Sequence, residues 1–452
     1  MFVQFKIGNF LSFKDTVTFS MVGYTSVKES DNDNTLNNVF YDPTEKNKLL
    51  KSAVIYGANN SGKSNLLSAM NFYRKFILTS SNEKQATDEI SIIKFLLSTE
   101  TENEPSFFEM IFFIGDIRYR YGFEADREKI YSEWLFSLKN EFSAKEIKLF
   151  TREFQVIKTN RLFFKEGKGI EDKTRPNALF LSTVAQLNGT IATMILTWFK
   201  TNLNTISGLD DNTTSYTISK FQEDDNFREI IIEFFKSIQI GFDDIEIEEK
   251  EADINTILNS VSNGRVIDSN LNIDVNKIEK LVENTRQVSI ETSHKKYNQS
   301  GDFIQHTKLP FQLQSKGTAK LFGLLGPIID TIQKGKILVV DELDSRLHTL
   351  LTMELIKFFH SKMNKKAQLI FVSHDTNILR KEIFHRDQIW FAEKNTVGAT
   401  DLYSLVEYKI NQATVRNDAS FEKDYLLGKY GAIPFLGDIQ KFVIDYLYEQ
   451  EK

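Results

Sequence analysis

Eight residues constrain this 452-residue chain more than any others: Gly57-Ala58-Asn59-Asn60-Ser61-Gly62-Lys63-Ser64. They fit G-x-x-x-x-G-K-[ST], a spacing with a physical basis. Glycines at both ends let a loop wrap a phosphate with its backbone N–H groups. Lys63 reaches the β and γ oxygens as a compact positive charge, and the Ser64 hydroxyl offers a ligand to Mg2+. The flanks suit the loop. Ser52-Ala53-Val54-Ile55-Tyr56 is a short apolar run that reads as a buried strand. From Ser64 to about Ser80, the residues Leu66, Leu67, Met70, Phe72, Phe76 and Ile77 recur at helical spacing. Strand, glycine loop and helix place an anion at a helix N-terminus, where the dipole favours it.

Three more clusters follow. Lys336-Ile337-Leu338-Val339-Val340-Asp341-Glu342 is an apolar strand that ends in two carboxylates. Successive strand side chains point to opposite faces, so the two acids do different jobs. Asp341 is placed to hold Mg2+, and Glu342 to polarise an attacking water as general base. Gln368-Leu369-Ile370-Phe371-Val372-Ser373-His374-Asp375 is a second such strand, with His374 placed to reach a γ-phosphate. Gln314-Ser315-Lys316-Gly317-Thr318 precedes a helix. It is either a second anion site or an ordinary N-cap.

Strands alternating with helices at both ends of the chain imply an α/β fold with a largely parallel sheet. An antiparallel meander is expected over Phe107–Ile114, Ile117–Phe123 and Ile130–Leu138, where aromatic and β-branched residues are punctuated by Gly115-Asp116 and Gly122. Two short strands are expected within residues 1–25, and a polar loop over 26–48. Helices are expected around Leu179–Asn202, Asn226–Ile238, Leu321–Gln333 and Leu350–Phe359, and a short terminal one from Leu436. No sustained heptads indicate a long coiled coil. Hydrophobic residues at 41% and charged residues at 26% fit an ordinary globular chain. The absence of cysteine rules out disulfides, zinc ribbons and a cysteine nucleophile, and suits a reducing cytoplasm. No apolar run approaches the roughly 20 residues of a membrane helix, and the start lacks a signal-peptide pattern.

The order of these motifs resembles the ABC-class ATPases of the SMC and OLD type. Ile7-Gly8-Asn9-Phe10-Leu11-Ser12-Phe13-Lys14-Asp15 looks like the opening strand pair of that class. Arg386–Phe391, Gly398–Leu405 and Tyr430–Phe435 look more specifically like the RloA/AbiL ATPases of abortive-infection systems. The resemblance implies an ABC-type P-loop ATPase head, a mixed sheet with an antiparallel lobe, carrying a mainly helical insertion. It divides the chain into ATPase lobes at 1–150 and 301–410, a helical insertion at 151–300 and an extension at 411–452. It makes Ser315, Lys316, Gly317 and Thr318 a signature loop acting on the partner subunit's nucleotide, Asp344 a D-loop residue and His374 a switch histidine. It implies ATP and Mg2+ as ligands and an ATP-dependent dimer or higher homo-oligomer. It also implies a separately encoded nuclease-like effector and a phage protein as trigger. Three positions depart from the class. Gln85 is the only Gln between Ser64 and Gln155 and no Q-loop is placed, Thr349 stands where proline is frequent, and Gln314 where an acid is common.

OLD-type chains often carry a Toprim nuclease, which needs an Asp-x-Asp to hold metal. The stretch after His374 contains none, so cutting is assigned to a partner. The acidic stretch Asp243–Asp253 reads as a solvated face or as a docking surface for a basic partner. Lys145–Arg175 holds nine Lys/Arg against five acids in a chain of net charge -6. It reads as a solvated basic face, with a nucleic-acid groove as the alternative. Two other functions compete with the defence ATPase: an SMC-like DNA-clamping or repair ATPase, and a transporter subunit, whose motifs would sit closer together.

Overall fold

In a computed structural model of the chain, the described residues are 1–24, 37–83, 85–139, 145–207, 212–251, 286–410, 413–415 and 419–434. They form two units, residues 1–210 with 328–452, and residues 211–327.

The first unit contains two large sheets. Strands β1 (Phe2–Gly8), β2 (Val17–Ser20), β6 (Ser106–Ile114), β7 (Ile117–Ala125), β8 (Ile130–Lys139), β9 (Ile147–Glu153) and β10 (Val156–Thr159) form one of them. It is antiparallel throughout, in the order β10-β9-β8-β7-β6-β1-β2. A small hairpin, β3 (Val39–Tyr41) and β4 (Lys48–Leu50), follows the opening strands. The second sheet is built from β5 (Ser52–Tyr56), β11 (Leu203–Ser207), β15 (Ile337–Asp341), β16 (Gln368–Val372), β17 (Ile389–Lys394) and β18 (Thr400–Ser404). Its order is β11-β15-β16-β5-β17-β18, parallel except for the β17–β18 hairpin. Strands β5 and β16 are buried along their full length, which explains their unbroken apolar runs.

Helix α1 (Lys63–Thr79) packs on the antiparallel sheet. Tyr73 stacks on Phe123 at 5.5 Å and meets Phe5 edge-on at 5.5 Å. The same helix touches β11 and β15 of the parallel sheet. Leu66, Leu67, Met70, Phe76 and Ile77 are buried, as their spacing predicts, whereas Phe72 is half-buried and Tyr73 is buried in addition. Helices α2 (Phe180–Gln186) and α3 (Thr190–Asn202) extend this core. A buried cross-strand pair, Glu133 and Arg152, fixes the start of α2. The Glu133 carboxylate accepts from the Phe180 and Leu181 amides at 2.7 and 3.0 Å and from Tyr121 Oη at 2.8 Å. Arg152 donates to the Ala178 carbonyl at 2.7 Å. Burial pushes Glu133 above the usual carboxylate range, against the pull of Arg152 and the helix amides.

The second unit holds α4 (Asn212–Glu223), α5 (Asp225–Ser237), β12 (Asp244–Glu251), β13 (Arg286–Tyr297), β14 (Phe303–Pro310) and the first part of α6 (Lys316–Lys334). Its sheet is antiparallel, in the order β12-β13-β14.

The meander, the phosphate-loop flanks and the two acidic-ended strands lie within one or two residues of expectation. The domain boundaries differ. The expected breaks near 150 and 300 fall at 210/211 and 327/328, because α2, α3 and β11 join the first unit's core. The inserted unit is also less helical than expected. Its strand β12 alternates Ile245 and Ile247 with acids, a composition poor in β-formers that hid the period of two. The expected polar loop over 26–48 carries β3 and the start of β4. The expected terminal helix from Leu436 lies outside the described residues. Among the described residues, no single helix is long and apolar enough to cross a membrane.

Under the parallel sheet runs a buried polar chain. Gln388 Nε2 donates to Ser52 Oγ at 3.0 Å, and Ser52 Oγ lies 2.7 Å from His360 Nε2 in helix α7 (Thr349–His360). Burial, with Lys51 and His385 nearby, holds the His360 pKa down to about 3. The unfolded chain therefore binds a proton that the fold refuses between about pH 6.5 and 3, and stability falls as pH drops through that window. Denaturation midpoints from pH 7 to 4.5 are expected to fall less steeply for His360→Gln than for the parent. Parallel curves would assign the acid sensitivity to carboxylates instead.

Candidate nucleotide site

The phosphate loop leaves β5 at Gly57. A Cβ there would collide with the Ala392 carbonyl of β17. At the other end Gly62 sits at φ +103°, and a Cβ would overlap Thr400 Oγ1 and Ser12 Oγ. Thr400 Oγ1 donates to the Ser61 carbonyl at 2.8 Å and lies 2.8 Å from Ser12 Oγ. Asn65 Nδ2 donates to the same Ser12 oxygen at 2.7 Å, and the Thr400 amide to the Ser12 carbonyl at 2.7 Å. Residues from β18, from the β1–β2 connection and from α1 thus converge on the loop.

Helix α1 starts directly from this loop. Gly62 gives it no side-chain cap, and its first turn carries no acid. The positive end of the helix dipole is left uncompensated, as an anion site requires. Lys63 is 5% exposed, and its ammonium donates to the Gly57 and Ala58 carbonyls at 2.8 and 2.7 Å. Burial pulls its pKa below the ordinary lysine value, while Asp341 and Glu342 oppose the shift.

Although 277 residues separate them, Ser64 Oγ donates to Asp341 Oδ1 at 3.2 Å. Asp341 ends β15 half-buried. A hydroxyl and a carboxylate side by side form the oxygen donor set that suits Mg2+, with remaining positions left to phosphate and water. Glu342 follows in the left-handed region at φ +54°, a strained conformation for a non-glycine residue.

Asp344 supports the neighbouring loop. Its Oδ2 accepts from the His374 and Asp375 amides at 3.1 and 2.9 Å. Its Oδ1 is buried and has no hydrogen-bond partner among the described residues. His374 itself is exposed just past β16. Thr349, the residue found in place of proline, bonds the Asp375 carboxylate through its hydroxyl. Tyr56 Oη donates to the Asp375 carbonyl at 2.9 Å.

The chain's last described segment also reaches this site. Helix α8 (Phe421–Leu426) stacks Tyr425 on Phe391 at 5.3 Å and sets it 5.8 Å from Tyr56. Tyr403 Oη donates to the Tyr430 carbonyl at 2.7 Å, and Tyr425 Oη to the Ala432 carbonyl at 3.0 Å. Ala58–Ser61, Glu393, Lys394 and Ala432–Pro434 line a cleft of about 630 Å3. That volume lies in the usual range for small-molecule sites.

Gly57 through Ser64, Asp341, Glu342, Asp344 and His374 all lie in the first unit. Ser315, Lys316, Gly317 and Thr318 belong to the second, where Ser315 Oγ accepts from the Thr318 amide at 3.0 Å in N-cap fashion. Sequence reasoning did not single out Ser12, Asn65, Thr400 or Glu393. Ser12 and Thr400 lay in segments noted only for their resemblance to relatives, because no short spacing links residues 388 apart. Thr400→Val keeps the shape and removes the hydroxyl. It is expected to cost roughly 1–2 kcal/mol in stability and to weaken nucleotide affinity. Calorimetric unfolding and fluorescent-nucleotide titration check both, and unchanged affinity would show that the loop holds its form without Thr400.

No curated protein matches the chain. Among solved structures it is similar to the SMC head domain from Thermotoga maritima, with 12% identity and a TM-score of 0.37 over 90% of this chain and 99% of that one. An SmcHead bound to the C-winged helix domain of ScpA gives 12% identity and a TM-score of 0.41 over 89% and 97%. An Smc head domain bound to the C-terminal domain of ScpA derived from Pyrococcus furiosus gives 12% and 0.33 over 89% and 96%. A family profile covers residues 52–380, from the start of β5 to beyond His374. The chain belongs to the family described as "AAA domain, putative AbiEii toxin, Type IV TA system".

Proposed function

We propose that the chain binds and hydrolyses ATP with Mg2+, as an ABC-class regulator of an antiphage abortive-infection system in the cytoplasm. The observation that carries this reading is the meeting of Ser64 and Asp341 beside the phosphate loop, with Glu342 next in the chain. In this reading the loop amides, the α1 dipole and Lys63 bind the phosphates. Ser64 and Asp341 would hold Mg2+, which would supply positive charge against the phosphates. Glu342 orients a water and accepts its proton as the water oxygen bonds to the γ-phosphorus. The bond from that phosphorus to the bridging oxygen breaks, leaving ADP and phosphate. His374 hydrogen-bonds the γ-phosphate, on a backbone that Asp344 holds in place.

Two subunits, or a larger homo-oligomer, would share each nucleotide, with Ser315, Lys316, Gly317 and Thr318 reaching it from the partner. ATP then stabilises the closed assembly because it binds that state better than the open one. A separately encoded nuclease-like effector would read the assembly, and a phage protein would trigger it. The family described for residues 52–380 supports the abortive-infection part of this reading.

Lys63→Ala is expected to abolish nucleotide binding, and undiminished turnover would sink the phosphate-loop assignment. Glu342→Gln is expected to keep ATP binding and lose about 10²- to 10⁴-fold in turnover. Its solution mass with ATP and Mg2+ should exceed its mass without them. An unchanged monomer would remove Ser315–Thr318 from the site.

A further inference from the structure

We propose that the outer edge of the antiparallel sheet, around β10, is a binding site for single-stranded nucleic acid. The argument starts from charge. Between Lys145 and Arg175 the acids are largely spent inside the fold. Glu166 accepts from the Ile191 and Ala192 amides at 3.0 and 2.8 Å, at the start of α3. Glu171 accepts from Thr159 Oγ1 at 3.0 Å and from the Gly169 amide at 2.6 Å. Glu146 pairs with Arg120 at 2.6 Å. Of the nine cations Arg152 is buried against Glu133, but Lys148, Lys158, Arg161, Lys165 and Lys168 are exposed. None of these five forms an ion pair among the described residues. Only Glu153 and Asp172 remain as exposed acids in this stretch. A chain of net charge -6 therefore carries one strongly basic edge.

The cations lie together. β10 is the terminal strand of the sheet, with Lys158 on its exposed face. Asn160 follows it and donates to the Lys148 carbonyl at 2.9 Å. Gly167 packs against Thr159, and Glu171 bonds the same residue, so the Lys165–Lys168 segment folds back on β10.

The second observation is aromatic. Phe154 is 55% exposed on the β9–β10 turn, and Phe163 is 50% exposed just past β10. Both are held out by the backbone. Phe154 sits at φ +51° with Tyr131 5.5 Å away. Asn160 Oδ1 accepts from the Leu162 and Phe163 amides at 3.0 and 3.1 Å, while Phe164 anchors the turn in the core. β10 itself spans roughly 13 Å, so both rings are within reach of a short oligonucleotide. Cations along a strand with protruding rings form the combination that binds unpaired bases, backbone by charge and base faces by stacking. A duplex hides those faces.

The test uses the full chain, a fluorescein-labelled 20-nucleotide oligothymidylate and fluorescence anisotropy. Binding is expected to weaken linearly in log salt. Phe163→Ala should weaken it by about tenfold. Lys158→Glu combined with Arg161→Glu should weaken it further and flatten the salt slope. ATP turnover and unfolding temperature should stay at parental values in both variants, because none of these residues belongs to the nucleotide site. No binding at low salt, tighter binding of a blunt duplex, or indifference to Phe163→Ala would each overturn the proposal. Displacement of the oligonucleotide by polyglutamate at equal charge, together with that indifference, would make the edge a docking face for an acidic protein instead.

Discussion

The first unit is organised around one steric fact: at Gly62 there is no space for a side chain. The Thr400 and Ser12 hydroxyls occupy it, and through them the β18 hairpin, the β1–β2 connection and helix α1 are tied to a single turn. The hydrogen bond from Thr400 to the Ser61 carbonyl then orients the peptide that precedes the helix. The loop's shape is set by its neighbours before any ligand arrives. Such preorganisation spares binding energy that would otherwise go into ordering the loop.

The parallel sheet brings the remaining chemistry to the same place. β15, β16 and β5 are adjacent and parallel, so their C-terminal ends share one edge. Asp341 and Glu342, then Ser373 and His374, and then Gly57 leave that edge in turn. Open α/β sheets place ligands outside the carboxyl ends of their strands for this reason. Asp344 adds a second layer by holding the exit from β16, and Thr349 and Tyr56 hold Asp375 beside it.

What could be read from the sequence follows how local each signal is. The phosphate loop, β5, α1, β15 and β16 are coded by contiguous residues, and their apolar runs or helical spacing were legible. β11 was not, because Leu203-Asn204-Thr205-Ile206-Ser207 is short, polar and continuous with α3. In the second unit β12 was hidden by its charge. Within the site, Lys63, Ser64, Asp341 and Glu342 were legible from two short motifs. Ser12 and Thr400 act through contacts that span the length of the chain. The role of Asp344 toward the His374 amide needed coordinates as well. Arg152 shows the converse error: it was counted in a basic face, yet it lies buried against Glu133.

The crowding at Gly57 and Gly62 bears on how such chains diverge. Both glycines are demanded by the Ala392 carbonyl and by the Thr400 and Ser12 hydroxyls, whether or not a nucleotide is ever bound. A descendant that lost its catalytic task would be free to replace Lys63 or Glu342, but it would keep both glycines to preserve its packing. Retained glycines in a degenerate motif therefore testify to architecture, and only the charged positions beyond them testify to chemistry.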